Sequence, residues 1–156
     1  MRSRISLLAV AAAAAAVLWA QSRPSKLAGE DWELLFNGKD LAGWVKVGNE
    51  KWEVEDGAIH GQGITKEYGY LRTEKKYKDF QMFLRFKCEA GGNSGVFFHA
   101  DFKPGTAEVT QGLQFEIDRK IGNHTGGMYG DGRLWIVWPA PENETVIKPY
   151  EWNDYL

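Results

Sequence analysis

The stretch GLQFEIDRKIGNHTGGMYG, Gly112 to Gly130, decides the fold. Its first half alternates, and successive side chains of a strand point to opposite sides. Leu113, Phe115 and Ile117 therefore share one face, and Gln114, Glu116 and Asp118 share the other. The apolar face reads as core and the polar face as a candidate site. Gly122, Asn123, Gly126 and Gly127 then break the strand. They bring His124, Thr125 and Tyr129 to its end, an arrangement in which a rigid sheet carries polar chemistry on a loop. The plainer alternative is a half-exposed strand whose acids face water, which period-two alternation also predicts.

The same period extends outward. FQMFLRFKCE, Phe80 to Glu89, reads as a long strand with Met82, Leu84, Phe86 and Cys88 on the core side and Phe83, Arg85 and Lys87 opposite. After Gly91-Gly92, Ser94, Val96 and Phe98 share one face, while Asn93, Gly95, Phe97 and His99 share the other. A glycine beside an aromatic leaves room for a sugar ring to lie down, and the imidazole adds a titratable group. The competing reading of His99 is a rim histidine with structural partners. Met82, Leu84, Phe86, Val96, Phe98, Leu113, Phe115 and Ile117 are expected to be buried. An enclosed Glu116 beside a solvent-facing Phe115 would overturn that phase, and the site hypothesis would go with it.

Shorter strands complete the pattern. Trp52 to Glu55 and Ala58 to Gly61 flank Asp56-Gly57, a strong hairpin signal. Tyr70 to Thr73 and Leu134 to Trp138 are two more, and EWNDYL starts another with no turn signal after it. Beyond the first twenty residues no segment sustains a 3.6-residue apolar period. Many short strands joined by glycine-rich turns imply an all-β sandwich or jelly roll, expected here to be incomplete at its C-terminus.

Arg2 and Arg4 precede an alanine-dominated apolar run, so 1–20 reads as a secretory signal peptide and 21–31 as a polar linker to a domain over 32–156. The run is short for a membrane span of about 20 apolar residues, and no stable membrane insertion is expected after cleavage; the alternative reading is an uncleaved N-terminal anchor. A periplasmic or extracellular protein follows from that reading. Without Arg2 and Arg4 the chain keeps 17 basic against 21 acidic residues, with no basic cluster, which argues against a nucleic-acid partner. Cys88 is the single cysteine and, in phase with the apolar positions, reads as a buried thiol. Of seven tryptophans only Trp19 lies in the leader, and aromatic faces of this kind stack on sugars.

LFNGKDLAGW (Leu35 to Trp44), GNSGVFF (Gly92 to Phe98), GLQFEI (Gly112 to Ile117), TGGMY (Thr125 to Tyr129) and WNDYL (Trp152 to Leu156) are each weak, but their order is specific. In that order the chain, from about Trp32 to Leu156, resembles the 3-keto-disaccharide hydrolase family. The resemblance implies a concanavalin-like jelly roll and cleavage of disaccharides or glycosides oxidised at sugar C3. A C3 carbonyl acidifies the C2 proton, so a base can remove it and the glycosidic oxygen can leave C1, with water added afterwards. Such a site needs a base, an enolate stabiliser and an acid. Glu116, His99, Asp118 and His124 are the candidate catalytic residues, Glu116 and His99 foremost. Asn93, Phe97, Gln114, Tyr129, Arg85 and Lys87 are the candidate substrate-binding residues, the last two if their strand lies beside that of Glu116. For these two basic residues the alternative is a solvated face.

Two other functions stay open. A lectin-like carbohydrate-binding module would use the same aromatics without turnover. A conventional jelly-roll glucanase would continue Glu116-Ile117-Asp118 with a second glutamate as acid, and Lys120 and Ile121 stand where it belongs. A divalent metal is left open as cofactor: Glu116, Asp118 and His124 offer suitable donors, with no diagnostic spacing.

Overall fold

The computed structural model describes residues 32–89, 91–130 and 134–156. The candidate leader, 1–20, and linker, 21–31, lie outside them. The chain divides into two compact units, Met1–Leu35 and Phe36–Leu156. The first has no regular element over 32–35, and the strands belong to the second.

Those strands are β1 Trp44–Val47, β2 Lys51–Glu55, β3 Ala58–Gln62, β4 Tyr70–Thr73, β5 Leu84–Phe86, β6 Asn93–Phe102, β7 Val109–Asp118, β8 Met128–Gly130, β9 Leu134–Val137 and β10 Asn153–Tyr155. Every pairing among the described residues is antiparallel, and helix is limited to one 3₁₀ turn, Glu144–Val146. The protein is all-β. Its largest sheet runs β6-β7-β8-β9, and β1-β4, β2-β3 and β5-β10 form two-stranded sheets. No described helix is long and apolar enough to cross a membrane.

Local chemistry explains the motifs. Asp56 and Gly57 both take positive φ, 50° and 76°, which is what a two-residue hairpin turn between β2 and β3 requires. In Asn37-Gly-Lys-Asp40 the Asn37 side-chain Oδ1 accepts the Lys39 and Asp40 backbone amides at 2.7 and 3.0 Å, and Asp40 Oδ1 accepts the Ala42 amide at 3.0 Å. That motif is a side-chain-stapled turn leading into β1, not a site.

Two sequence expectations are corrected by the pairing. Within Phe80–Glu89 only Leu84–Phe86 is a strand, and it pairs with β10 rather than lying beside β7. The predicted burial fails as well. Ile117 is buried, whereas Met82, Leu84, Phe86, Val96, Phe98 and Leu113 are half-buried and Phe115 is 39% exposed. Glu116, by contrast, is only 7% exposed, so the assignment of the Phe115 side as core and the Glu116 side as an open site face is overturned, and a site at Glu116 has to stand on the geometry of an enclosed carboxyl cluster instead. Alternation dictates which residues share a face, not which face is enclosed. The face-sharing is as read: Asn93, Gly95 and Phe97 stand opposite Asp118, Glu116 and Gln114, and opposite residues of an antiparallel pair project to the same side. Glu116 is enclosed by its polar neighbours on that side, while Phe98 and Phe115, stacked with centroids 5.0 Å apart, form the more open side.

Candidate active site

β6 and β7 present a compact carboxyl cluster. The Asn93 amide donates to Glu116 Oε1 and, at 3.2 Å, to Asp118 Oδ2. Gln114 Nε2 donates to Glu116 Oε2 at 2.7 Å. Opposite Glu116 stands Gly95, where an added Cβ would lie 2.5 Å from the Gln114 side chain. The glycine is what allows the Gln114 amide to reach Glu116.

The two acids are driven apart electrostatically. Burial pushes the Glu116 carboxyl above its ordinary value, against the pull of the Asn93 and Gln114 hydrogen bonds. Burial also acts upward on Asp118. It is outweighed there by hydrogen bonds from the Lys120 amide, Asn123 and Asn93 and by the Arg119 charge, so Asp118 titrates below its ordinary value. The Lys120 amide lies at 2.7 Å and Asn123 Nδ2 at 3.1 Å. Glu116 thus titrates above its ordinary value and Asp118 below its own, a separation of the kind acid–base sites use.

The loop after β7 is fastened to the strand. Thr125, buried, donates from Oγ1 to the Asp118 carbonyl at 2.6 Å and accepts the Asp118 amide at 2.8 Å. Gly126 and Gly127 extend the ladder, with Gly126 N donating to Glu116 O at 3.0 Å and Glu116 N to Gly127 O at 2.9 Å. Tyr155 from β10 adds its hydroxyl to the Glu116 carbonyl at 2.5 Å. A Cβ at Gly127 would meet the His124 carbonyl at 2.8 Å and the Trp135 ring at 2.9 Å, so the loop closes only on glycine. His124 then stands against Trp135 edge-on at 4.9 Å and Trp138 at 5.6 Å. Trp135 also contacts Tyr129, which pairs with Gln114, linking His124 to the carboxyl face.

Of the residues singled out from sequence, Asn93, Gln114, Glu116 and Asp118 meet directly. Phe97 and Tyr129 flank them, although Tyr70 already engages Phe97 edge-on at 5.4 Å. His99 is not brought to this face. The register shifts between Phe98 and Asp101, His99 takes φ +50°, and its exposed ring lies beside Phe98, which belongs to the opposite side. Arg85 pairs with Asp154 at 2.8 Å and Lys87 with Glu89 at 2.6 Å, both cations standing over Trp152. Arg85 lies on β5, which pairs with β10, and Lys87 follows just after that strand, so the condition for a role beside Glu116 is not met.

Sequence reasoning missed Glu144, Trp135, Trp138 and Tyr155 as parts of this surroundings. Only the aromatic content hinted at the tryptophans. A cavity of about 450 Å³ lined by Thr125, Gly126, Pro139, Trp152 and Tyr155 borders the same loop but includes neither acid. As for metal, the described residues whose donor atoms converge, all within 4.8 Å, are Glu53, Glu55 and His60 on the β2–β3 hairpin. Lys51 already pairs with Glu53 there. Glu116, Asp118 and His124 do not form such a set.

An antiparallel β sheet with two electrostatically split carboxyls on a face flanked by aromatics fits a carbohydrate-active domain. The family model for the 3-keto-alpha-glucoside-1,2-lyase-like domain matches residues 31–156, and the chain belongs to that family. It is also similar to a 3-keto-disaccharide hydrolase of Bacteroides thetaiotaomicron, 34% identical over 76 residues. That match covers 42% of this chain and 26% of the relative, so the chain spans about a quarter of the curated protein it matches.

Proposed function

We propose that this domain cleaves the glycosidic bond of 3-keto-disaccharides or 3-keto-glycosides outside the cytoplasm, by elimination and rehydration. The observation that carries the reading is the split pair, Glu116 pushed up and Asp118 held ionised, on the Asn93/Gln114 face. Family membership and the printed name of the Bacteroides relative supply the substrate class.

In this reading the Glu116 carboxylate takes the C2 proton, which the C3 carbonyl makes acidic. The electron pair passes into the ring as the C1–oxygen bond breaks, and the leaving oxygen takes a proton. Water then adds at C1, and C2 is reprotonated by Glu116 after its carboxyl proton has exchanged with solvent. A carboxyl with a raised pKa is the better match for this task, because a base works best near the operating pH. Asn93 and Gln114 orient its two oxygens, and ionised Asp118 disfavours a second negative charge beside it.

The test is incubation of the protein with 3-keto-disaccharides and their unoxidised parents in parallel, in deuterated water. Cleavage confined to the keto sugars, with deuterium at C2 of the product, is expected. Binding of sugars without turnover would replace the reading with a lectin-like module. Equal cleavage of unoxidised sugars would replace it with an ordinary glycosidase.

A further inference from the structure

The Glu144 side chain is remote in sequence from the carboxyl cluster, yet it is almost fully buried, on a 3₁₀ turn after the described sheet strands. A buried carboxylate is costly unless hydrogen-bonded. Both oxygens of Glu144 engage His124, with the Gly122 backbone also bonding the carboxylate: Oε2 accepts the His124 backbone amide at 3.1 Å, and Oε1 lies 2.6 Å from His124 Nδ1. His124 itself takes φ +61°, a left-handed backbone that is uncommon away from glycine, though His adopts it more readily than most residues. With Trp135 and Trp138 against the ring, its position and rotation are both fixed.

We infer that Glu144 is a positioning residue that holds His124 with its Nδ1–H donated to the Glu144 carboxylate, so that Nε2 serves as the proton carrier for the leaving oxygen. The inference rests on the proposed keto-glycoside reading for the identity of that oxygen. Glu144 is ionised at neutral pH, since its hydrogen bonds from the His124 ring and amide lower its titration. An ionised acceptor at Nδ1 requires a proton on that nitrogen, which leaves Nε2 as the position that exchanges. The charged groups acting on His124 are Glu144 from the 3₁₀ turn and Glu116 from β7, while β9 contributes Trp135 and the following segment Trp138.

The proton balance is complete with the chain's own groups. The imidazolium gives its Nε2 proton to the departing oxygen as C1–O breaks, while Glu116 holds the proton taken from C2. In the second half water adds to C1 and its proton returns to Nε2. A carboxylate at Nδ1 stabilises the imidazolium and fixes the tautomer without itself taking a proton.

Two measurements on the full chain decide the inference. Nitrogen-15 NMR of the wild-type imidazole should show His124 protonated at Nδ1, and Glu144→Gln should give a tautomer mixture. A wild-type ring bare at Nδ1, or identical ring spectra in both proteins, overturns the hold of Glu144 on His124, and neither requires turnover. Then 3-keto-disaccharide is compared with the 4-nitrophenyl 3-keto-glucoside, whose leaving group needs no proton. Glu144→Gln should slow the disaccharide at least 10-fold and the nitrophenyl substrate less than 3-fold, with KM little changed. Equal slowing of both overturns the proton-carrier role. A wild-type protein that cleaves neither substrate removes the keto-glycoside reading and with it the leaving-group assignment, while the NMR result still decides the tautomer.

Discussion

At the scale of single residues the two acids of β7 behave as opposites. Asp118 titrates low, so it contributes stability that is present above its ordinary value of 3.8 and lost as pH falls through the lower native value. Glu116 titrates high. Its protonated form is the one the native state favours, and its contribution declines as pH rises from 4.5 through the raised value. Asp118→Asn would turn an amide nitrogen toward the donors Asn93 and Asn123, costing about 1–3 kcal/mol at pH 7. Urea unfolding should show that difference shrinking as pH falls from 3.8 through the lowered native value, below which the wild-type carboxyl is itself protonated. A difference independent of pH would mean that Asp118 is not ionised in the fold. Glu116→Gln, in turn, should keep the fold and lower keto-disaccharide turnover by roughly 10²-fold or more, the range for losing an acid–base group. Unchanged kcat and KM in a folded Glu116→Gln protein would remove Glu116 as the base. The pairing of these acids on one face was legible from alternation. Their electrostatic division was not, because it depends on Asn93, twenty-three positions from Glu116 along the chain, and on the Lys120 amide and Asn123 in the turn.

At the scale of elements, parity holds until a strand is broken. Asn93, Gly95 and Phe97 obey it, and the register shift after Phe98 ends it, which is why His99 was read onto the wrong face. A bulge adds a residue without altering the apolar pattern on either side, so period-two reading cannot see it. The same limit applies to β5, where Met82 and Phe83 continue the pattern but the ladder begins only at Leu84. Hairpins with turn chemistry of their own, such as Asp56-Gly57, were legible because the signal is local. The His99 backbone, at φ +50°, suits glycine better than any β-carbon-bearing residue. His99→Gly should therefore be neutral or stabilising by up to about 1 kcal/mol in thermal unfolding, with turnover within twofold of wild type. A hundredfold loss of kcat would return His99 to the site. Gly95→Ala tests the other parity: its methyl would displace Gln114 from Glu116, so kcat should fall while the melting temperature moves little.

At the scale of the whole molecule, the short alternating strands pointed to an all-β fold, and the ordered motifs pointed to the family. What they left open is how much of each sheet face is covered, since amphipathic strands specify a face to be buried but not the element that buries it. Among the described residues β9 shows this most strongly. Leu134, Ile136 and Val137 are 71%, 55% and 53% exposed, on a strand at the edge of the four-stranded sheet. An apolar edge strand offers both unpaired backbone groups and contact area to another molecule. The protein as sequenced should accordingly self-associate with rising concentration, read as increasing mass in light scattering or sedimentation. Leu134→Lys places a charge on that edge without touching Trp135 or Trp138, which hold His124, and should return the mass toward that of one chain with turnover unaltered. A monodisperse wild-type monomer at high concentration would show instead that this surface is not sticky in solution, and the exposed β9 side chains would then be ordinary surface residues.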